Sequence, residues 1–306
     1  MTFLWRHKRI IKKPNFFIIG LSKSGTTALS EYLRGHPNVF FSNPKELGFF
    51  LPGTHANCHR IDNVNQYLYY FRGATEQHLA IGEGTPDYFR DVSTIKNILE
   101  FNPDSKFILM IRNPVERFFS LHAHLYFYGI EIEANPMLAW EKSRRANQNK
   151  KKCLNYLNMC LVSESIKNLL ALVQKKKLLI ILYNELSENS DYVYENVLKF
   201  LELPMDGRSD FPKINKTYLT IRPKFNKIFC FGSQVYYYLR KNFRIKNKYF
   251  FSMIKKIKKC FESQATVDFN IKPSDAFISK LTRYFEDDIR NLARILNDER
   301  VLKWLD

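Results

Sequence analysis

Between an apolar run, Asn15-Phe16-Phe17-Ile18-Ile19, and a helix-forming stretch, Thr27 to Arg34, lies the corner Gly20-Leu21-Ser22-Lys23-Ser24-Gly25-Thr26-Thr27, and it constrains this chain more than any other segment. β-Favouring residues, a glycine-bounded turn and a helix, in that order, make a strand–loop–helix unit. Gly35 and Pro37 mark where the helix stops. The N–H groups of residues 23 to 27 are expected to converge on one spot, where the helix dipole adds positive charge and an anion is welcome. The usual triphosphate loop, G-x-x-x-x-G-K-[ST], carries its lysine after the second glycine. Here Thr26 fills that slot and the lysine is Lys23, ahead of Gly25. The anion cradle is kept without the equipment for hydrolysing ATP or GTP. The two glycines alone would read as a plain tight turn; Lys23, Ser24, Thr26 and Thr27 turn the reading towards phosphate.

A second segment is suited to another anion. Lys106 to Ile111 reads as a fully buried parallel strand, and Arg112-Asn113-Pro114 ends it before a helix predicted over Val115 to Tyr128. Pro114 suits the first helical position. Arg112 then falls at the carboxyl end of a strand, on the edge where open α/β sheets bind ligands. Its guanidinium can grip phosphate through two parallel hydrogen bonds, and Ser120, about two helical turns on, can add a hydroxyl. Taken alone, Arg112 is equally compatible with an ion pair at a helix start.

Strand candidates near 16–19, 79–82, 107–111 and 178–182 alternate with helical stretches. That alternation predicts an α/β fold, a P-loop-like central parallel sheet with helices on both faces. With 306 residues, 45% of them hydrophobic, and no repeat or Gly/Ser-rich linker, a single domain over 1–306 is expected. Residues 1–14 form a basic N-terminal extension to it.

Together the two anion segments resemble the sulfotransferases that use 3′-phosphoadenosine 5′-phosphosulfate (PAPS), in particular the carbohydrate and heparan sulfate type and its bacterial relatives. The resemblance runs through Phe17 to Gly20, Lys23 to Leu29, Pro44-Lys45-Glu46-Leu47-Gly48-Phe49-Phe50, Gly82-Glu83-Gly84-Thr85-Pro86-Asp87-Tyr88-Phe89, Ile111 to Arg117 with Ser120, Tyr183-Asn184-Glu185-Leu186, and the closing stretch Leu281 to Trp304. It implies that Lys23, Ser24, Gly25, Thr26 and Thr27 hold the 5′-phosphosulfate. Arg112 and Ser120, with Arg222 from a late loop, would hold the 3′-phosphate. It also implies that PAPS is the co-substrate and that no metal is required.

The chemistry accounts for these residue types. Sulfuryl transfer moves an anionic group from a phosphate oxygen to an acceptor hydroxyl or amine, so the site must neutralise charge and accept a proton. Lys23 matches the lysine that stabilises the leaving phosphate. Glu46 matches the general base of heparan-type members, and Phe49 and Phe50 are expected to make its surroundings partly apolar. A solvated carboxylate or an ion pair with Lys45 is the other reading of Glu46. Many relatives carry a lysine where this chain has Gly84, so either another cation such as Lys45 substitutes or the acceptor geometry differs. Glu83 is a second acid/base candidate, an orienting partner for Lys23, or a cap for the next turn.

The formal charge of +18 is concentrated. Phe211 to Phe261 holds fourteen Lys or Arg, thirteen aromatic residues and no Asp or Glu. Over 211–262 this reads as a basic, aromatic-rich lid, or as a segment facing a polysaccharide, glycolipid or other carbohydrate acceptor or a membrane surface; nucleic acid fits less well. Cys58, Cys153, Cys160, Cys230 and Cys260 are odd in number without C-x-x-C spacing, which predicts reduced thiols. His122 and His124, two apart on a helix, point to different sides and do not pair on a metal. Met1 to Lys13 has too short an apolar run to span a bilayer. The expected location is therefore cytoplasmic, free or against a membrane, or the Golgi lumen if an anchor precedes the chain. Two rivals to the transferase remain at this stage: a P-loop kinase with an atypical loop, and a non-enzymatic basic adaptor for nucleic acid or membrane.

Overall fold

The structure is a computed structural model that describes residues 12–52, 61, 63–127, 130–148, 154–212 and 273–306. Strands β1 (Phe16–Gly20), β2 (Val39–Phe41), β3 (Ala80–Glu83), β4 (Lys106–Ile111) and β5 (Leu178–Leu182) form one sheet in the order β2-β3-β1-β4-β5. Every pairing is parallel. Four of the strands were expected. The edge strand β2 was not, because Val39-Phe40-Phe41 is too short for any period to register in the sequence.

The helices are α1 (Thr26–Arg34), α2 (Val64–Tyr69), α3 (Val92–Phe101), α4 (Pro114–Phe127), α5 (Pro136–Gln148), α6 (Tyr156–Cys160), α7 (Ser163–Leu172), α8 (Tyr183–Glu188), α9 (Ser190–Leu201) and α10 (Asp275–Leu296). Gly35 caps α1, and Pro114 opens α4, as the sequence signals require. The chain divides into two compact units, one of residues 1–113, 162–214 and 290–302, the other of 114–161, 215–289 and 303–306.

The first unit holds the sheet. Because successive strand residues face opposite ways, Phe16 and Ile18 of β1 join Ile108, Met110 and Ile181 under Leu29 and Leu33 of α1 and Val193, Val197 and Leu198 of α9. The other face begins with Phe17, stacked on Phe107 at 5.9 Å and edge-on to Phe50 and Tyr88 at 6.1 and 6.4 Å. Phe50 passes the packing on to Phe101 of α3, 5.5 Å away. Each such ring, buried fully, contributes about 1.5–3 kcal/mol of transfer free energy. The sheet is thereby covered on both faces.

The strand order places β1 between β3 and β4, so connections leave β1 towards one side and return on the other. The crevice at the carboxyl ends of such strands is where open α/β sheets take ligands. Gly20 is in register with Met110, and the Leu21 N–H donates to the Met110 carbonyl at 3.1 Å. Glycine is required at 20: φ is +126°, and a Cβ would come to 2.1 Å from the Met110 oxygen.

The second unit is helical and aromatic. Phe118 of α4 meets Trp140 of α5 and Tyr156 of α6 edge-on, each at 5.2 Å, and Trp140 meets Phe285 of α10 at 5.7 Å. Arg117 is buried here and donates to the Met159 carbonyl at 2.6 Å and the Cys160 sulfur at 3.3 Å, which makes it a structural group. His122 is also buried, with a ring nitrogen 2.8 Å from the Glu133 carbonyl. Burial, opposed by that bond, holds its imidazole below the ordinary range. Cys160 is a buried thiol in no disulfide among the described residues; the other four cysteines lie outside them. No described helix is long and apolar enough to cross a membrane.

Candidate functional site

The loop from β1 to α1 bends as its glycines demand. Gly25 precedes the helix in the left-handed region at φ +86°, and Lys23 shares that region at φ +72°. A non-glycine residue held there costs about 1–3 kcal/mol, strain that accumulates at ligand-binding corners. The turn consumes one of the expected anion donors, since the Ser24 N–H donates to the Leu21 carbonyl at 3.2 Å. The convergence of all N–H groups from 23 to 27 is thus incomplete.

What the loop does offer is a side-chain donor. Ser24 is fully buried and its Oγ has no hydrogen-bond partner among the described residues. An unpaired buried hydroxyl costs roughly 1–3 kcal/mol, so it marks a place built for a polar group. Lys23 lies half-buried beside it in sequence, and burial first, then the charge of Arg112, holds its ammonium below the ordinary lysine range.

Arg112 follows the end of β4, as expected, and its Nη1 donates to the Lys23 carbonyl at 3.1 Å. Its guanidinium also lies over the ring of Tyr183, 4.1 Å from the centroid. Tyr183 opens α8 directly after β5, so three strand ends meet at this corner. The sequence marked Tyr183 only through the stretch Tyr183 to Leu186; its stacking on Arg112 was not anticipated. Thr27 lies in the first turn of α1, where its carbonyl accepts the Ser30 hydroxyl at 2.8 Å. Ser120 is buried on α4 in the second unit, and Arg222 lies outside the described residues together with 213–272.

Lys45 and Glu46 sit on the segment that follows β2. The Lys45 ammonium is 3.1 Å from Thr26 Oγ1 and 2.9 Å from Glu46 Oε1. The apolar surroundings expected for Glu46 are not present: its side chain is 49% exposed and ion-paired with Lys45. The reason is that Phe49 and Phe50 turn inwards, Phe49 stacking on Tyr67 at 4.5 Å and Phe50 being buried. They serve the core rather than the carboxylate.

Glu83, at the end of β3, is completely buried and accepts three hydroxyls: Tyr67 at 2.5 Å, Thr85 at 2.6 Å and Tyr88 at 2.8 Å. Thr85 in turn accepts the Gly48 N–H at 3.1 Å, and Tyr88 accepts the Phe50 N–H at 3.4 Å. Burial raises the Glu83 carboxyl above its ordinary range while the hydroxyl bonds oppose the shift. Through Thr85 and Tyr88 the carboxylate fastens the loop that carries Lys45 and Glu46.

A five-stranded parallel α/β sheet, with a lysine and an arginine brought together at the carboxyl ends of β1 and β4, defines a P-loop-like fold. Among the described residues no cluster of His, Cys, Asp or Glu is placed to hold a metal ion. Residues 13–264 match the family model described as sulfotransferase domain, and the chain belongs to that family. A membrane-associated sulfotransferase, kil1, of Dictyostelium discoideum is 31% identical over 134 residues, covering 43% of this chain and 27% of that protein. Carbohydrate sulfotransferase 15 of Mus musculus is 28% identical over 257 residues, covering 65% of this chain and 45% of that one. The chain therefore spans less than half the length of these curated relatives. In three dimensions it resembles a sulfotransferase from Alicyclobacillus acidocaldarius, with a TM-score of 0.70 at 21% identity over 97% of this chain and 100% of the other.

Proposed function

We propose that this chain transfers the sulfuryl group of PAPS to a hydroxyl, or an amine, of a carbohydrate-type acceptor. The observation that carries the reading is the corner itself: a lysine ahead of the second glycine, held low by burial and Arg112, beside a buried serine hydroxyl that lacks a partner. Those groups fit a phosphosulfate. Lys23, Ser24 and the first turn of α1 with Gly25, Thr26 and Thr27 are assigned to its 5′ end. Arg112 is assigned to the 3′-phosphate, with Ser120 and Arg222 assigned on the sequence resemblance.

In the proposed step Glu46 takes the acceptor proton as the acceptor oxygen bonds to sulfur, in line with the bond that breaks between sulfur and the phosphate oxygen. Lys23 meets the negative charge that the departing phosphate gains. Adenosine 3′,5′-bisphosphate and the sulfate ester are the products. A carbohydrate acceptor is supported by the name of the Mus musculus relative, and a membrane-proximal one by that of the Dictyostelium relative. The basic, aromatic segment 211–262 is the part of the chain whose composition suits either surface.

The test is transfer of radiolabelled sulfate from PAPS to a panel of glycans and glycolipids by the purified protein. Transfer that falls at least about 100-fold in Lys23→Ala supports the reading. Phosphoryl transfer from ATP, with PAPS ignored, would overturn it in favour of a kinase.

A further inference from the structure

The site holds a cation that the corner alone does not require. Lys45 comes from a different loop, yet its side chain is only 12% exposed and its ammonium ends against Thr26, the first residue of α1. A helix N-terminus is the positive end of its dipole, so a lysine parked there is unfavourably placed until an anion joins it. Glu46 plays that part, 2.9 Å away.

Gly84 explains how Lys45 arrives. Its φ lies outside the left-handed region, so the backbone does not demand glycine. Space is tight instead: a Cβ at 84 would stand 3.1 Å from Lys45 Cγ, 3.4 Å from Lys45 Cδ and 3.1 Å from the Phe41 ring, so the stem or the ring would have to give by a few tenths of an ångström. The Lys45 stem lies in the volume that a side chain at 84 would fill. Two hydrogen bonds fix this arrangement, the Gly84 N–H donating to the Lys45 carbonyl at 3.2 Å and the Ser42 hydroxyl to the same carbonyl at 3.2 Å.

We propose that Lys45 is a second catalytic cation of the phosphosulfate site, admitted by Gly84, and that it exchanges the Glu46 carboxylate for the sulfuryl oxygens when PAPS binds. The exchange leaves Glu46 unpaired at the moment a base is needed, so co-substrate binding arms the base. This inference rests on the PAPS reading of the corner.

The test compares two ligands that differ by the sulfuryl group, PAPS and adenosine 3′,5′-bisphosphate, titrated calorimetrically into wild type, Lys45→Met and Gly84→Ala. Methionine keeps the stem packed on Gly84 while removing the charge; thermal melts confirm that each variant is folded. A charge-assisted hydrogen bond lost from the sulfuryl end predicts PAPS affinity lower by about 10- to 100-fold in Lys45→Met, with bisphosphate affinity within about twofold of wild type. Gly84→Ala, which displaces the stem, shows the same selective loss. The double variant loses no more than Lys45→Met alone, because both changes remove one contact. Equal effects on the two ligands, or none, or additive losses in the double variant, overturn the role of Lys45. A wild-type protein that binds neither ligand instead overturns the PAPS reading beneath it.

Discussion

Replacing Glu83 tests whether a buried carboxylate holds the loop that carries Lys45 and Glu46. Three hydroxyls donate to its two oxygens, Thr85 and Tyr88 to Oε1 and Tyr67 to Oε2, and none of the four groups is exposed. Glu83→Gln keeps the volume but offers one acceptor oxygen and an NH₂ group, so at least one hydroxyl faces a donor. Leaving one buried donor unserved costs about 1–3 kcal/mol. Glu83→Ala removes the acceptor for all three, and each buried hydroxyl left unserved costs about 1–3 kcal/mol. Urea unfolding at neutral pH is expected to rank wild type, Gln and Ala in that order. The pH dependence has a definite sign. Because the folded carboxyl is raised, the folded protein holds its proton above the ordinary value of about 4.3, where the unfolded chain has lost it. Stability from this group is therefore greatest on the acid side and declines as pH rises from about 4.3 through the raised value. The advantage of wild type over Glu83→Gln should narrow over that interval. Sulfate transfer should fall more steeply than stability does, since the bonds lost with Glu83 fasten Gly48 and Phe50 beside Glu46. A glutamine variant as stable as wild type, or a gap that widens with rising pH, would refute the account of Glu83 as a buried clasp.

Ser24→Ala removes a hydroxyl without a partner, so thermal melting should show little change or a slight gain, while bisphosphate affinity measured by calorimetry falls about 10-fold. Lys23 is held below the ordinary lysine range, so above that lowered value an anion must bring a proton with it: affinity should decline with rising pH, with proton uptake seen as buffer-dependent binding heats. Lys23→Met should abolish both effects. Gly20→Ala drives a Cβ into the Met110 carbonyl from a left-handed backbone, and denaturant unfolding should register a loss of about 3 kcal/mol or more.

Much of this was legible in the chain. The buried strands announced themselves as apolar runs, and the two glycines, with Lys23 and Arg112, mark the two strand ends that the sheet brings side by side. β2 escaped because three residues carry no period, and Tyr183 escaped because its partner Arg112 is 71 residues away in the chain. Glu46 was misjudged in its surroundings: neighbours in sequence, Phe49 and Phe50, point away from it, because the loop is drawn inwards by Glu83 and its hydroxyls.

Sequence alone determined which chemistry the chain carries, since a displaced lysine, a glycine-bounded turn and an arginine after a strand are local facts of residue type and order. Tertiary structure alone decided how those groups are paired and charged. The orphaned Ser24 hydroxyl, the lowered Lys23, the clasp around Glu83 and the placement of Lys45 in the space left by Gly84 all depend on burial and on distances across the sheet. Desolvation and packing act between residues far apart in the chain, and no local pattern encodes them.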